Sequence, residues 1–272
     1  MGTATGVRLS EAEIDSYHRD GLVIPDHRLP EDVLGRLRAA VDKLIHDHPD
    51  VPPEALSGPH NPYGQSAKLM GNADFLEFCQ HPDILDMVEQ LIGPDIILWG
   101  SQMFAKPPAV GKGVPWHQDG QYWPIRPLAT VTVRVAIDGS YPDNGCMRYI
   151  PGSHRARRIE LHEIDPRDDM ALGQRMAEVD ETNARDVVLA PGQISLHDVY
   201  TVHGSAHNRG TRRRADYAIR YMPATSLYDR SPDNPATVYA RKMSPHMNYP
   251  ARPIWLVRGQ DQAGNDFSVG KG

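Results

Sequence analysis

Residues 114 to 124, VPWHQDGQYWP, set His117 and Asp119 two positions apart. On an extended strand such residues project from the same face, roughly 6.5–7 Å apart along the chain, so both can aim at one cation. An HxD pair alone is common, and a third ligand has to be found. The segment 195 to 223, SLHDVYTVHGSAHNRGTRRRADYAIRYMP, offers His197, His203 and His207, with Arg212, Arg213 and Arg214 just beyond. Two imidazoles and one carboxylate on one face of iron leave positions open for a small chelating co-substrate and for dioxygen. A nearby arginine can grip a carboxylate through two parallel hydrogen bonds, which lysine does less well.

The surrounding pattern predicts what must position these groups. Ser10 with Glu13 three places on forms a capping-box pattern that starts a short helix ending near Gly21. LVIPDH reads as a strand, and PEDVLGRLRAAVDKLIH, residues 30 to 46, as a helix with Val33, Leu34, Leu37, Ala40, Val41 and Leu44 on one face. Residues 49 to 66, rich in Pro, Gly and Ser, form a loop. HPDILDMVEQLIG is a further helix, opened by Pro82 and closed by Gly93. Beyond residue 94 come short β-type runs between turn clusters: DIILWGSQMFAK, LATVTVRVAID, GCMRYIPG, DVVLAPGQISLHD and DYAIRYMPA. This predicts a sandwich or barrel preceded by helices. The charged segment 154 to 185 interrupts the strands and reads as an insertion able to cover a site, or as a solvated excursion.

Composition bounds the function. A chain of 272 residues, 40% hydrophobic and 24% charged, can bury a core as a single domain, and a net charge of -6 argues against a polyanion partner. The Arg212–Arg214 cluster is too short for a nucleic-acid footprint. Cys79 and Cys146 have neither disulfide-framework nor zinc-finger spacing, which suits a reducing cytoplasm. The first residues lack the apolar core of a signal peptide, Gly6 stands where a myristoylation signal wants Ser or Thr, and no stretch is long and apolar enough to span a bilayer.

Four pieces in order, HQD at 117–119, NGCMRYIPGSH at 144–154, PGQISLHD at 191–198 and HGSAHN at 203–208 followed by Arg214 and RYMP, resemble the phytanoyl-CoA dioxygenase family of iron(II)- and 2-oxoglutarate-dependent oxygenases. The opening SEAEIDSYHRDGLVIPD is similar to that of the family too, so the likeness covers nearly the whole chain. It implies a mainly β fold with flanking helices, a double-stranded β-helix (a jelly roll, cupin-like), with a helical part over about 9–93 and a core over about 94–225. It implies His117, Asp119 and His203 as the iron ligands, Arg214 as the arginine on the far carboxylate of 2-oxoglutarate, and Ser205 as the hydroxyl assisting it. Halogenating relatives carry a small residue in place of the carboxylate, so Asp119 speaks for hydroxylation. The implied cofactors are iron(II), 2-oxoglutarate and dioxygen.

Alternation in LATVTVRVAID puts Thr130, Thr132, Arg134 and Ala136 on one face and Val131, Val133, Val135 and Ile137 on the other. The resemblance turns the Thr132 side toward the barrel interior and places Thr132, with Gln102 and Lys106 on the strand before the HxD turn, near 2-oxoglutarate. An arginine there needs an anion, so Arg134 is expected on the substrate or on 2-oxoglutarate, or else on a protein carboxylate such as Asp138 or Asp143. Tyr122 and Trp123, next to the HxD pair, are candidates for the substrate wall, or are core. The reading is a hydroxylase of a small molecule, an anionic one where interior arginine is in surplus. A non-redox hydrolase or isomerase on the same three ligands, and an inactive binding protein on the same fold, stand as alternatives. Arg214 with Ser205 counts against the first and the full triad against the second.

Overall fold

The computed structural model describes residues 6–64, 69–243 and 247–271, so the first five residues, where a lipidation signal would begin, lie outside it. Helix α1, Glu11–Asp20, carries the expected capping box: the Glu13 amide donates to Ser10 Oγ at 3.3 Å and the Glu13 carboxylate accepts from the Ser10 amide at 2.7 Å. It stops at Gly21, whose φ of 81° suits glycine, and where a Cβ would lie 2.5 Å from both His154 Nδ1 and Thr201 Oγ1. Helix α2, Glu31–Asp47, buries Val33, Leu34, Leu37, Val41 and Leu44, the face the spacing predicted. A short α3, Ala73–Phe78, is capped by Asn72, and α4 runs over Pro82–Ile92. The sequence pattern did not announce α3, nor α5 at Pro235–Met243.

Seven strands make the larger antiparallel sheet. Its order is Leu22–Val23, Ile194–Asp198, Val131–Ala136, Arg214–Pro223, Ile96–Lys106 and Trp255–Arg258, with Leu56–Ser57 also paired to Ile96–Lys106. The smaller sheet runs Arg185–Val187, Met147–Tyr149, His203–Ser205, Val114–His117. Side chains of both sheets line one cavity, so the two form a double-stranded β-helix. Strands near residues 22 and 256 extend the larger sheet at both edges.

Period-two alternation sorts each strand of the larger sheet. Val131, Val133, Val135, Ile194, Leu196 and Ile219 pack with the helices in one apolar cluster, while Thr132, Arg134, His197 and Arg220 face the other way. The segment 154–185 contains a hairpin, His162–Ile164 with Gln174–Met176. It is fastened to the back of the ligand strand. Gln118, which points opposite to its neighbours His117 and Asp119, donates to Arg158 O and Tyr200 O and accepts from the Glu160 amide, and its own amide donates to His162 Nε2.

Candidate metal centre

His117 and His203 are cross-strand partners in the smaller sheet, their ring centroids 4.2 Å apart. Each ring is fixed by the backbone two residues earlier: His117 Nδ1 donates to Pro115 O and His203 Nδ1 to Thr201 O, both at 2.9 Å. That fixes the tautomer and leaves both Nε2 lone pairs for a metal. Asp119, at the start of a 3₁₀ turn, completes the set. Its Oδ1 lies 3.7 Å from His117 Nε2, and the three ligand atoms lie within 4.8 Å of one another. Its Oδ2 is held by Thr132 Oγ1 at 3.2 Å and His197 Nε2 at 3.4 Å.

The electrostatics suit ligation. Burial, with His117 alongside, holds His203 well below the usual imidazole range, so it stays neutral. Burial pushes the Asp119 carboxyl up, but the His117 and His197 rings beside it and the nearby His203 outweigh it and keep it well below the ordinary carboxylate range. All three ligands are buried, a donor set that fits iron(II). Among the rivals, His197 sits behind Asp119 as a support, and His207 turns outward to Asp169 Oδ2 at 2.9 Å.

Beside the triad lies a buried charged cluster. Arg214, 1% exposed, pairs with Asp216 at 3.0 Å and donates through Nη1 to Gly145 O, while its Nε is buried without a partner. The turn at Asn144-Gly145 presents that carbonyl: Gly145 has φ of 73°, and a Cβ there would lie 2.4 Å from Ala206 O. Lys106 Nζ donates to Ser205 Oγ at 2.8 Å and Ala206 O at 2.5 Å. Burial, with Arg214 and Arg134 close by, depresses Lys106 to about 6. Burial likewise lowers Arg214 to about 10, against the pull of Asp216.

Arg134 has a protein partner, but a different one from those expected: it donates to Asp216, and through Nη1 to Met147 Sδ at 2.9 Å, whereas Asp138 is taken by Arg213 and Asp143 by Arg212. Thr132 donates its hydroxyl to Asp119. Gln102 is on the cavity's side of its strand yet does not line the cavity, and Tyr122 and Trp123 belong to a second aromatic cluster beside it. Asp216 was legible as the residue two beyond Arg214 on the same strand face; Lys106, a candidate from the sequence, is paired with Arg214 by the sheet register. A larger groove of about 350 Å³ between α2 and α3, lined by Val33, Leu37, Ala40 and Phe78 among others, gathers no such set of ligands.

Two histidines and a carboxylate inside a double-stranded β-helix define a mononuclear metal protein of the non-haem kind. The sequence profile described as Phytanoyl-CoA dioxygenase (PhyH) matches residues 17–215, and the chain belongs to that family. It is 30% identical over 144 residues to a probable alpha-ketoglutarate-dependent hypophosphite dioxygenase of Stutzerimonas stutzeri, covering 52% of this chain and 50% of the relative. It is 25% identical over 210 residues to the peroxisomal phytanoyl-CoA dioxygenase of Bos taurus (72% and 62%), and 27% over 218 to the ectoine dioxygenase of Nocardia farcinica (72% and 72%). The chain thus spans about half to two thirds of the length of the first two of these curated relatives. Among solved structures, the non-heme monooxygenase ThoJ in its apo form superposes with a TM-score of 0.68 at 26% identity, over 91% of this chain and 84% of that one. CytC3, at 23% identity, shares the fold with a TM-score of 0.65 over 96% and 93%.

Proposed function

We propose that the protein is an iron(II)- and 2-oxoglutarate-dependent oxygenase that hydroxylates a C–H bond of a small molecule, with release of succinate and carbon dioxide. The observation that carries this reading is the coexistence, in one cavity, of three buried ligands and two arginines, Arg134 and Arg214, that share the carboxylate of Asp216 behind it. Cations in excess of carboxylates inside a protein call for an anion from elsewhere. The far carboxylate of 2-oxoglutarate supplies it, with Arg214 Nε and the Ser205 hydroxyl ready to donate. A hydrolytic centre would use the triad but has no need for the second cluster.

His117 and His203 would hold iron through Nε2 and Asp119 through a carboxylate oxygen. Bound there, the metal would supply the redox chemistry, coupling dioxygen activation to decarboxylation of the co-substrate. The chain's part is placement. Thr132 and His197 fix the Asp119 carboxylate, Pro115 O and Thr201 O fix the imidazoles, and Phe104, Val114 and Met147 supply apolar parts of the cavity wall. The cavity, about 30 Å³, takes an ion but no dicarboxylate, so binding must exchange internal bonds such as Arg214 to Gly145 O for bonds to the ligand. The names of the relatives speak of the same chemistry on diverse small molecules.

Anaerobic addition of iron(II) and then 2-oxoglutarate to metal-free protein tests the reading. A visible charge-transfer band should develop, and Arg214→Leu should need at least about tenfold more 2-oxoglutarate to reach half of it, the effect of losing a charge-assisted pair. No band in protein that binds iron overturns it.

A further inference from the structure

Arg220 lies six residues beyond Arg214 on the same strand and therefore on the same face, roughly 20 Å further along. The register separates the two: Arg214 pairs with Lys106, whereas Arg220 is flanked by Gly100 and by Thr132, the residue that holds Asp119. The two arginines thus sit toward opposite ends of the cavity that contains the triad. Their surroundings differ as well. Arg214 has Asp216; Arg220 has, among the described residues, no hydrogen bond and no ion pair, and its Nε is buried without a partner. Its guanidinium lies over the Trp123 ring, 5.1 Å from the centroid.

A second guanidinium comes to the same place from the C-terminal part of the chain. Arg252 is 7% exposed and forms no ion pair among the described residues; it lies 4.4 Å from the Tyr249 ring centroid and 5.7 Å from that of Trp99. Gly100 shows how close the two approach, since a Cβ there would lie 3.2 Å from Arg252 Nη1 and 3.9 Å from Arg220 Cδ. Among the described residues, the carboxylate that the Arg220 charge helps to hold down is Asp119, a group that would ligate the metal. Aromatic faces offset only part of the desolvation of the buried Arg252 and the partly buried Arg220, and an anion from outside would offset the rest.

We propose that Arg220 and Arg252 form the clamp for the primary substrate, which carries an oxyanion, a carboxylate or a phosphate ester, beside a flat or apolar body that meets Trp123 and Tyr122. The proposal rests on the oxygenase reading for which end of the cavity receives the co-substrate, and it assigns the other end to the molecule that is oxidised. The surplus positive charge sensed in the sequence at Arg134 is thereby moved to Arg220, because Asp216 satisfies Arg134.

The test uses the full chain loaded anaerobically with iron(II) and 2-oxoglutarate, with benzoate, phenyl phosphate and the neutral benzyl alcohol as probes. Binding is read from tryptophan fluorescence and from perturbation of the visible band. At least one charged probe should bind and the alcohol should not; Arg220→Met and Arg252→Met should each weaken that binding tenfold or more, and Arg220→Lys should restore part of it. The 2-oxoglutarate concentration that half-develops the band should be the same in all variants, which also shows that they fold. The preferred charged probe tells carboxylate from phosphate. Charged probes that fail to bind, that bind equally well to Arg220→Met, or an Arg220→Met effect falling on 2-oxoglutarate instead, would each overturn the clamp. Should the band never develop while probe binding still depends on Arg220, the oxygenase reading fails and the anion site stands.

Discussion

The two faces of the larger sheet are written by the same strands, one residue out of step, and they do opposite things. On Val131–Ala136 the odd-numbered valines enter the apolar cluster with α2 and α4, and the even positions place Thr132 and Arg134 in the cavity. On Arg214–Pro223, Ala215, Tyr217 and Ile219 pack against the helices, while Arg214, Asp216, Ala218 and Arg220 look inward. One face earns stability from shape and burial, and the other concentrates charge that is only partly matched within the chain. The contrast shows that the cavity's chemistry can be held rigidly without being self-satisfied, because the apolar face fixes the strands on which the charges stand.

Breaking the cavity face should abolish function and spare the fold. Asp119→Ala should reduce iron affinity by more than the roughly 10–100-fold that loss of a supporting partner such as Thr132 brings. Equilibrium dialysis of iron(II) against both Asp119→Ala and Thr132→Val measures the two losses, and thermal unfolding of the metal-free variants should barely move. If Thr132→Val costs as much as Asp119→Ala, the separation of ligand from support is wrong. Breaking the apolar face should do the reverse. Leu196, fully buried between Val23 and Val133 in the sheet, should cost about 2–5 kcal/mol of stability when replaced by Ala, read by denaturant unfolding. The folded fraction should still bind iron with unchanged affinity.

Much of this was legible in the sequence because the signals were local. The Ser10 capping box, the apolar stripe of α2 and the alternation of residues 130 to 137 are written within a few residues, and all three appear where the pattern put them. The HxD spacing was likewise local, and His203 was chosen over His197 and His207 by its resemblance to a family motif, not by geometry. What could not be read was pairing between distant strands. Arg134 went to Asp216 across an antiparallel register, not to Asp138 or Asp143 nearby in sequence, and Lys106 met Ser205 only because two sheets close over one cavity. The aromatic cluster of Trp99, Trp123 and Tyr249 joins segments 150 residues apart, and no periodicity announces such an encounter.

The finest test of the contrast is a proton. Burial, reinforced by Arg214 and Arg134, lowers Lys106 to about 6, against roughly 10.4 for an unfolded lysine. Between those values the unfolded chain binds one more proton at this site than the folded, ligand-free chain, so the group's contribution makes stability rise with pH across that window. A carboxylate bound against Lys106 reverses the balance by favouring the ammonium form. Above pH 6, 2-oxoglutarate should then bind with uptake of up to one proton, and its affinity should fall with rising pH, by at most tenfold per unit, until the raised pKa of the bound state is passed. Calorimetric titration at pH 7.5 in buffers of different ionisation heat counts the protons. Lys106→Met should remove the uptake and flatten the pH profile, while an exposed lysine on α2, Lys43, should leave both unchanged when replaced in the same way. Uptake that survives in Lys106→Met would mean that the proton lands on another group and that Lys106 carries its charge before the ligand arrives.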